Sequence, residues 1–182
     1  LFGGGETSCG CGTVYKLQIG LGFSILWDGS KNQVPYGGIV LDGAGSIYWT
    51  SSSPGEACVY GCGAVFQLNL ATGKTTTLYN FTGLADGAYP AAGLALDSEG
   101  NLYGTTQYGG TTTTPGGGYG VVFKIDTTGK ETVLHTFDGT DGAQPQANLL
   151  LDSAGNLYGT TAYGGSTACR GGCGVVFKIA PQ

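Results

Sequence analysis

The sequence lacks the features on which several classes of protein depend. Only 10% of its 182 residues are charged, against roughly 25% in an average soluble domain. Because phosphate binding requires clustered cations, seven scattered Lys and Arg residues and a net charge of -5 argue against nucleic acid as a partner. No apolar run approaches the roughly 20 residues that span a bilayer. Methionine is absent and the chain starts at Leu1, so we expect a mature or trimmed product without its targeting segment.

Glycine, by contrast, is abundant at 37 residues, whereas proline is scarce at 6 and shows no collagen-like period. Because 41% of the chain is nevertheless hydrophobic, this glycine content indicates tight turns between short strands rather than disorder. With so few charges, the surface must consist largely of Ser, Thr, Gly, Asn and Tyr. Such a surface tolerates close approach by another copy of the chain or by sugar.

The chain contains an internal repeat with a period of about 55 residues. A glycine followed by a short apolar run occurs four times, at 12–17, 63–68, 120–125 and 174–179. An Asp-containing turn that leads into a Leu-Tyr or Ile-Tyr pair occurs three times, at 41–48, 96–103 and 151–158. The prolines that precede this second motif keep the same spacing: Pro35, Pro90 and Pro145.

One repeat predicts four strands, called a to d in chain order: 92–97, 102–108, 120–126 and 131–137. β-branched and aromatic residues dominate these runs, and turn residues separate them. Gly100 is predicted to supply the positive φ of the tight hairpin between strands a and b. No apolar period of 3.6 residues persists for three turns, so the sequence predicts an all-β protein.

Four antiparallel strands at this period are typical of a β-propeller blade. We predict a β-propeller or propeller-like array of about four four-stranded antiparallel blades, in a single repeat domain over residues 1–182. Full blades are predicted at 34–88 and 89–143, with partial blades at 1–33 and 144–182. Strand a is expected to be buried beside the axis, and strands c and d to alternate toward a half-solvated rim. A β-solenoid is the alternative, although its coils are usually shorter, roughly 20–30 residues.

The string LDSAGNLYGTTAYGG at 151–165, followed by GVVFKI at 174–179, resembles the bacterial GloVer-type tandem repeat found among choice-of-anchor proteins. The resemblance covers nearly the whole chain, is closest over 90–179 and is weakest over 1–60. It implies a propeller-like β fold in a secreted or surface-anchored protein. It implies no established chemistry.

The predicted strands do not begin and end at blade boundaries. Residues 1–17 match the end of strand b and strand c, residues 23–27 match strand d, and residues 145–179 supply strands a, b and c. Because strand c occurs at both ends, the termini do not simply complete one shared blade. Three explanations remain open: a four-bladed ring with a displaced segment, a fragment of a longer array, or terminal strands completed by a neighbouring chain.

All six cysteines lie in the predicted loop between strands b and c: Cys9, Cys11, Cys58, Cys62, Cys169 and Cys173. An even count at matched loop positions predicts three local disulfides and an oxidising compartment. A bridge between Cys9 and Cys11 would be strained, since one residue separates them. Metal binding is the alternative, but zinc needs four convergent ligands, and the pairs are predicted on different blades, with His135 on a strand d.

Several polar residues are candidates for chemistry. Three aspartates recur at the turn between strands a and b: Asp42, Asp97 and Asp152. Paired carboxylates can act in acid–base catalysis, but their repetition favours a structural role in which each Asp caps its own turn. Segment 138–142 has oxygen ligands at calcium-like spacing, although the matching loop keeps only Asp86. His135 has no accompanying nucleophile motif, so we expect an ordinary strand position.

Tyrosines and glycosylation signals are further candidates. Tyr48, Tyr103 and Tyr158 recur on strand b, and Tyr108 and Tyr163 begin the following loop. Such rings can stack on sugars, but their recurrence favours packing. The sequon at Asn80 predicts an N-glycan acceptor. A threonine run before Pro115 predicts O-glycan carriers: Thr111, Thr112, Thr113 and Thr114.

We interpret the chain as a secreted or surface structural and interaction module that self-assembles through its incomplete terminal blades, as the subunit of an extracellular fibre would. A carbohydrate-binding propeller is one alternative, and a hydrolase or lyase that uses the central channel is another. An enzyme would need non-repeated polar residues converging on the axis, and the sequence has almost none. We therefore predict no enzymatic activity and no cofactor or metal, with further copies of the chain and glycans as partners.

Overall fold

The regular structure of the described residues is entirely β, arranged as four sheets that follow one another along the chain. The computed structural model describes residues 12–20, 22–28, 35–52, 62–110 and 115–180. Sheet 1 contains β1 (Thr13–Gln18) and β2 (Gly22–Asp28). Sheet 2 contains β3 (Val40–Leu41), β4 (Ser46–Ser51), β5 (Ala64–Asn69) and β6 (Thr75–Asn80). Sheet 3 contains β7 (Ala95–Leu96), β8 (Leu102–Thr106), β9 (Val121–Ile125) and β10 (Glu131–Thr136). Sheet 4 contains β11 (Ala143–Pro145), β12 (Leu150–Leu151), β13 (Leu157–Tyr163) and β14 (Val176–Ile179).

Each sheet is antiparallel and meanders in chain order. Sheets 2 and 3 have four neighbouring strands each, β3-β4-β5-β6 and β7-β8-β9-β10. In sheet 4, β13 lies between β12 and β14, and its far end also pairs with β11. The predicted strands at 102–108, 120–126 and 131–137 correspond to β8, β9 and β10. The prediction of an all-β repeat with antiparallel four-stranded sheets is therefore confirmed.

The hairpin turns have the backbone that the sequence predicted. Gly100 has φ +91°, and its counterparts Gly45 and Gly155 have φ +88° and +80°. These values lie in the left-handed region, which glycine adopts without steric cost. Among the described residues, no helix is long and apolar enough to cross a membrane.

The core consists of three apolar clusters, each between two consecutive sheets. An aromatic pair marks each junction, with ring centroids 5.0–5.2 Å apart. The pairs are Trp27 with Trp49 between sheets 1 and 2, Phe81 with Phe123 between sheets 2 and 3, and Phe137 with Phe177 between sheets 3 and 4. Apolar side chains are therefore buried mainly between consecutive sheets.

The expected burial of strand a holds for part of that strand. Ala92, Gly93 and Leu94 of the predicted strand 92–97 are buried, whereas both residues of β7 are only partly buried. The central strands b and c are more buried, since four of the five residues of β8 and four of the five residues of β9 are buried. The physical reason is position within the sheet: β8 and β9 each have a partner strand on each side, whereas β7 lies at the edge.

Candidate functional site

The repeated aspartates hold the turns between strands a and b. Oδ1 of Asp152 accepts hydrogen bonds from the N–H groups of Ala154 and Asn156, and Oδ2 accepts from the Asn156 amide and the Tyr158 hydroxyl, at 2.8–3.0 Å. The Asn156 side chain, followed by its backbone N–H, lowers the pKa of Asp152 below its usual value. Asp42 and Asp97 make the same turn contacts. The prediction that these residues cap their own turns is confirmed.

The recurring tyrosines of strand b belong to the same structural unit. The hydroxyl groups of Tyr48, Tyr103 and Tyr158 donate to the aspartate six residues earlier, at 2.8–3.0 Å. A depression of about 610 Å³ between sheets 3 and 4 lies beside two of these turns and includes Asp97 and Asp152. Both carboxylates already accept several hydrogen bonds within their turns. Few hydrogen-bond acceptor sites on them therefore remain for a ligand on this side of the sheets.

The opposite side of the sheets contains the b–c and d–a loops, and we call it the loop side. Here Cys169 and Cys173 form a disulfide, with Cα atoms 5.1 Å apart, as the sequence predicted. Cys62 is also disulfide-bonded, and no cysteine among the described residues is free. The remaining members of the predicted set, Cys9, Cys11 and Cys58, lie outside the described residues, as do Thr111, Thr112, Thr113 and Thr114. Asn80, the predicted N-glycan acceptor, is exposed at the end of β6.

His135 occupies a repeated position on strand d. Its Nε2 lies 2.7 Å from Oδ2 of Asp141, and the corresponding tyrosine of sheet 2, Tyr79, donates its hydroxyl to Asp86 at 3.0 Å. Both pairs join the outer strand to the loop that leads into the next sheet. His135 and Tyr79 therefore occupy equivalent positions on strand d, in agreement with the expectation that His135 fills an ordinary strand position.

The segment with calcium-like spacing is a self-contained turn. Oδ1 of Asp138 accepts from the N–H of Thr140, the hydroxyl of Thr140 and the N–H of Asp141, at 2.7–3.2 Å. Oδ1 of Asp141 accepts from the N–H of Asp138 at 2.9 Å. Hydrogen bonds within the loop thus occupy oxygens that a cation would need. The described residues contain no group of three or more candidate metal ligands.

Two loop-side residues adopt a strained backbone. Tyr89 has φ +58° and Gln144 has φ +53°, and each directly precedes a proline, Pro90 or Pro145. Positive φ is unfavourable for non-glycine residues and marks sites that the surrounding structure constrains. The N–H of Tyr89 donates to the carbonyl of Cys62, and the N–H of Gln144 donates to the carbonyl of Tyr119, both at 2.8 Å. The two residues therefore occupy equivalent positions at successive junctions.

The second of these junctions has an open cleft, which we call the loop-side cleft. Its volume is about 490 Å³, within the roughly 300–1,000 Å³ of small-molecule sites. Its lining includes Tyr119, Asp138, Gly139, Thr140, Gln144 and Tyr163. Both tyrosine side chains are exposed, Tyr119 at 49% and Tyr163 at 46% of their surface. The cleft therefore combines aromatic rings with a carboxylate, an amide and hydroxyl groups.

Sequence reasoning singled out Tyr163 and the segment containing Asp138 but missed Tyr119 and Gln144. Tyr119 stands immediately before the strand c glycine, where sheets 2 and 4 have Cys62 and Cys173. The signal that could have found it was the absence of cysteine from this one repeat. Gln144 also breaks the repeat, because the equivalent position 55 residues earlier is occupied by Tyr89. Comparing residues that break the repeat, rather than those that keep it, would have identified both.

Comparisons with known proteins agree with this architecture. The model of the Gloeobacter/Verrucomicrobia repeat family matches residues 3–182. TolB from Acinetobacter baumannii is similar in structure, with a TM-score of 0.51 and 14% identity over 88% of this chain and 33% of that chain. A gluconolactonase from Xanthomonas campestris has a TM-score of 0.45 and 13% identity over 87% of this chain and 65% of that chain.

The chain thus spans between 33% and 65% of the length of these two solved structures. At such low identity the likeness to TolB concerns the fold alone, which is propeller-like. No curated protein matches the sequence.

Proposed function

This chain belongs to the Gloeobacter/Verrucomicrobia repeat family, and on that premise we propose that it is a structural interaction module of the bacterial cell exterior, without enzymatic activity. In this proposal the four sheets are blades of a propeller-like array. The array associates head to tail with a second copy through the outer faces of sheets 1 and 4.

The proposal rests on how the strand c motif packs at the internal junctions. The central valine of this motif contacts the following sheet: Val14 faces sheet 2, Val65 faces sheet 3 and Val122 faces sheet 4. The next residue points to the opposite face and packs toward the preceding sheet, as Phe123 does on Phe81. Each junction therefore joins a valine face to an aromatic face.

The same two faces are left uncovered on the outermost sheets. Tyr15 and Leu17 of β1 are 57% and 68% exposed, whereas the equivalent Leu68 is 1% exposed. At the other end, Val176 of β14 is 82% exposed, whereas the equivalent Val122 is fully buried. Large apolar side chains at these positions are buried or partly buried wherever a neighbouring sheet is present. Exposed apolar patches of this kind mark association surfaces.

The two uncovered faces are complementary rather than alike. Sheet 4 presents a valine face and sheet 1 presents an aromatic face, the combination found at every internal junction. A contact between them is heterologous, and contacts of this type generate rings or open filaments according to the rotation between subunits. The low charge of the chain offers little electrostatic repulsion against such contact.

Two observations support an exterior location. Disulfides such as Cys169–Cys173 persist in oxidising compartments and are rare in the cytosol. The predicted glycan acceptor Asn80 is on the surface. The absence of enzymatic activity is proposed because the residues that sequence reasoning considered for catalysis, Asp97, Asp152 and His135, each hold a turn or a loop in place.

Association can be tested by sedimentation velocity over a wide range of protein concentrations. We expect the average mass to rise with concentration. Leu17→Glu and Val176→Glu should each abolish this rise, because a buried unpaired charge opposes contact at the modified face. Ala71→Glu adds the same charge at an exposed turn of sheet 2 and serves as the control.

A mixture of the Leu17→Glu and Val176→Glu proteins tests whether the two faces bind each other. Each variant retains one intact face, so an equimolar mixture should form heterodimers and nothing larger. A monomer at every concentration in the unmodified protein, with β1, β2 and β14 ordered, would overturn the proposal. Equal association of all three glutamate variants would overturn it as well.

A further inference from the structure

We propose that the loop-side cleft binds a neutral pyranose oligosaccharide, with Tyr119 and Tyr163 stacking against sugar rings and Asp138 and Gln144 accepting or donating hydrogen bonds to hydroxyl groups. This site is separate from the outer sheet faces. A substitution can therefore remove sugar binding without affecting self-association, or remove self-association without affecting sugar binding.

The cleft is open because of one departure from the repeat. At the junction of sheets 2 and 3, the strained position holds Tyr89, whose ring packs edge-to-face on Tyr108 with centroids 5.5 Å apart. At the junction of sheets 3 and 4, the same position holds Gln144, and the equivalent of Tyr108, Tyr163, is 46% exposed. Replacing an aromatic side chain by a slender amide thus uncovers a ring and adds a hydrogen-bonding group beside it.

Both tyrosine rings lie against a glycine, and both rings line the cleft. A Cβ atom at Gly139 would fall 3.1 Å from Cζ of Tyr119, and one at Gly171 would fall 3.6 Å from Cδ1 of Tyr163. Gly139 also has φ +90°, which a side chain would strain. The face of an aromatic ring carries negative potential, and it attracts the C–H groups on the apolar face of a pyranose.

The polar groups of the cleft suit hydroxyl groups. The hydrogen bonds that the Asp138 carboxylate accepts from the N–H and hydroxyl of Thr140 and from the N–H of Asp141 go to Oδ1. The side chain and backbone of Thr140 lower the pKa of Asp138 to about 2, so the group is an ionised acceptor near neutral pH. An amide both donates and accepts, as a sugar hydroxyl does. Among the described residues of this lining, the only charged group is a carboxylate, so a neutral sugar fits better than an anionic one.

The test is calorimetric titration of the full chain with cellotetraose and maltotetraose, which present the same sugar in two linkages. We expect at least one of them to bind. Tyr119→Ala and Tyr163→Ala should each weaken that binding at least about tenfold, whereas Tyr119→Phe keeps the ring and should retain most of it. Gln144→Tyr introduces the residue found at the equivalent position, Tyr89, and should abolish binding while the protein stays folded.

Tyr15→Ala is the matched control, because it removes an equally exposed tyrosine from sheet 1. This variant should bind sugar normally and lose self-association, whereas Tyr119→Ala should do the reverse. The proposal is overturned if neither oligosaccharide binds at up to about 10 mM, tenfold above a Kd of about 1 mM. It is also overturned if the Tyr119→Ala and Gln144→Tyr proteins, shown to be folded by circular dichroism, bind as the unmodified protein does.

Discussion

Glu131 is the residue whose ionisation the fold opposes most clearly among the described carboxyl groups. Burial, and then the negative charge of Asp86 in the loop between β6 and β7, raises the pKa of Glu131 to about 7. Its Oε1 is buried and has no hydrogen-bond partner in the described structure. Since Asp86 is already held by Tyr79 and Thr82, the two carboxyl groups do not share a donor.

This arrangement predicts a pH-dependent stability. Because the folded-state pKa lies above the usual value of 4.5, the folded state binds the proton more tightly. The stability contributed by protonated Glu131 is fully present below pH 4.5 and is lost as the pH rises through 7. We expect Glu131→Gln to remove this part of the pH dependence and to raise the melting temperature at pH 8. Solvent screening of the half-buried side chain limits the gain to about 1 kcal/mol, or about 2–4 °C.

The measurement is thermal unfolding of both proteins between pH 4 and pH 8. Asp126→Asn is the control, because Asp126 is an exposed carboxylate whose hydrogen bonds with Thr128 and Lys130 lower its pKa. This control should lose stability above pH 4, the opposite sign. Parallel pH profiles for the unmodified and Glu131→Gln proteins would contradict the assignment.

At the scale of the strand, the same space beside strand b is filled in two different ways in different repeats. Strand b carries Trp49 in sheet 2 but glycine at the equivalent positions in sheets 3 and 4, Gly104 and Gly159. Trp49 stacks on Phe66 with centroids 5.5 Å apart. Where glycine replaces it, the strand c phenylalanine occupies the space: a Cβ at Gly104 would lie 2.5 Å from Cζ of Phe123. Gly104 is therefore required because the ring of Phe123 leaves no space for a side chain, and not because a turn needs its backbone conformation.

We predict that Gly104→Ala destabilises the protein by about 1–3 kcal/mol, the usual cost of overpacking a well-filled core. Neither Phe123 nor Leu94, whose Cδ2 would be 3.0 Å away, can move freely, since both are buried between sheets. Urea unfolding measures the loss. Gly43→Ala is the matched control, because a Cβ there meets nothing within 4 Å and the backbone φ is ordinary. An equal effect of the two substitutions would show that the ring does not constrain Gly104.

At the scale of the whole molecule, the sheets form a row in which apolar clusters join consecutive neighbours. Within the described part of the chain, sheets 2 and 3 have a neighbour on each face, whereas sheet 1 packs on sheet 2 alone and exposes Tyr15 and Leu17. In arrays of this kind, stability is approximately a sum of the terms for each unit and its nearest neighbours. The outermost sheets should therefore open at lower free energy than the inner ones.

Native-state hydrogen exchange checks this expectation. The amides of β1 and β2 should exchange faster than those of β8 and β9 by at least an order of magnitude, because local opening of sheet 1 breaks one junction and the one strand pairing between β1 and β2. Measurement at low protein concentration keeps the proposed association from protecting sheet 1. Uniform protection across the four sheets would mean that the protein unfolds as one unit and that the nearest-neighbour description is wrong.

The sequence alone determined the strands, the turns and the repeat, because these follow from local patterns. The positive φ of Gly100 and the capping role of Asp152 could be predicted, since each depends on residues within a few positions along the chain. The antiparallel pairing of β7 with β8 and of β9 with β10 followed from the short turns at 97–101 and 126–130.

Only the tertiary structure decided what depends on a neighbouring sheet. Tyr15 and Phe123 occupy the same place in one motif, yet one is exposed and the other buried. The reason is that Phe123 packs against a preceding sheet, whereas the described residues place no such sheet against Tyr15. The raised pKa of Glu131 depends on Asp86, which is 45 residues earlier in the chain. The loop-side cleft likewise depends on Tyr119, Gln144 and Tyr163 meeting across a junction. Burial, electrostatics and clefts are set by contacts between sheets, and a repeat that makes the sheets alike in sequence does not make their surroundings alike.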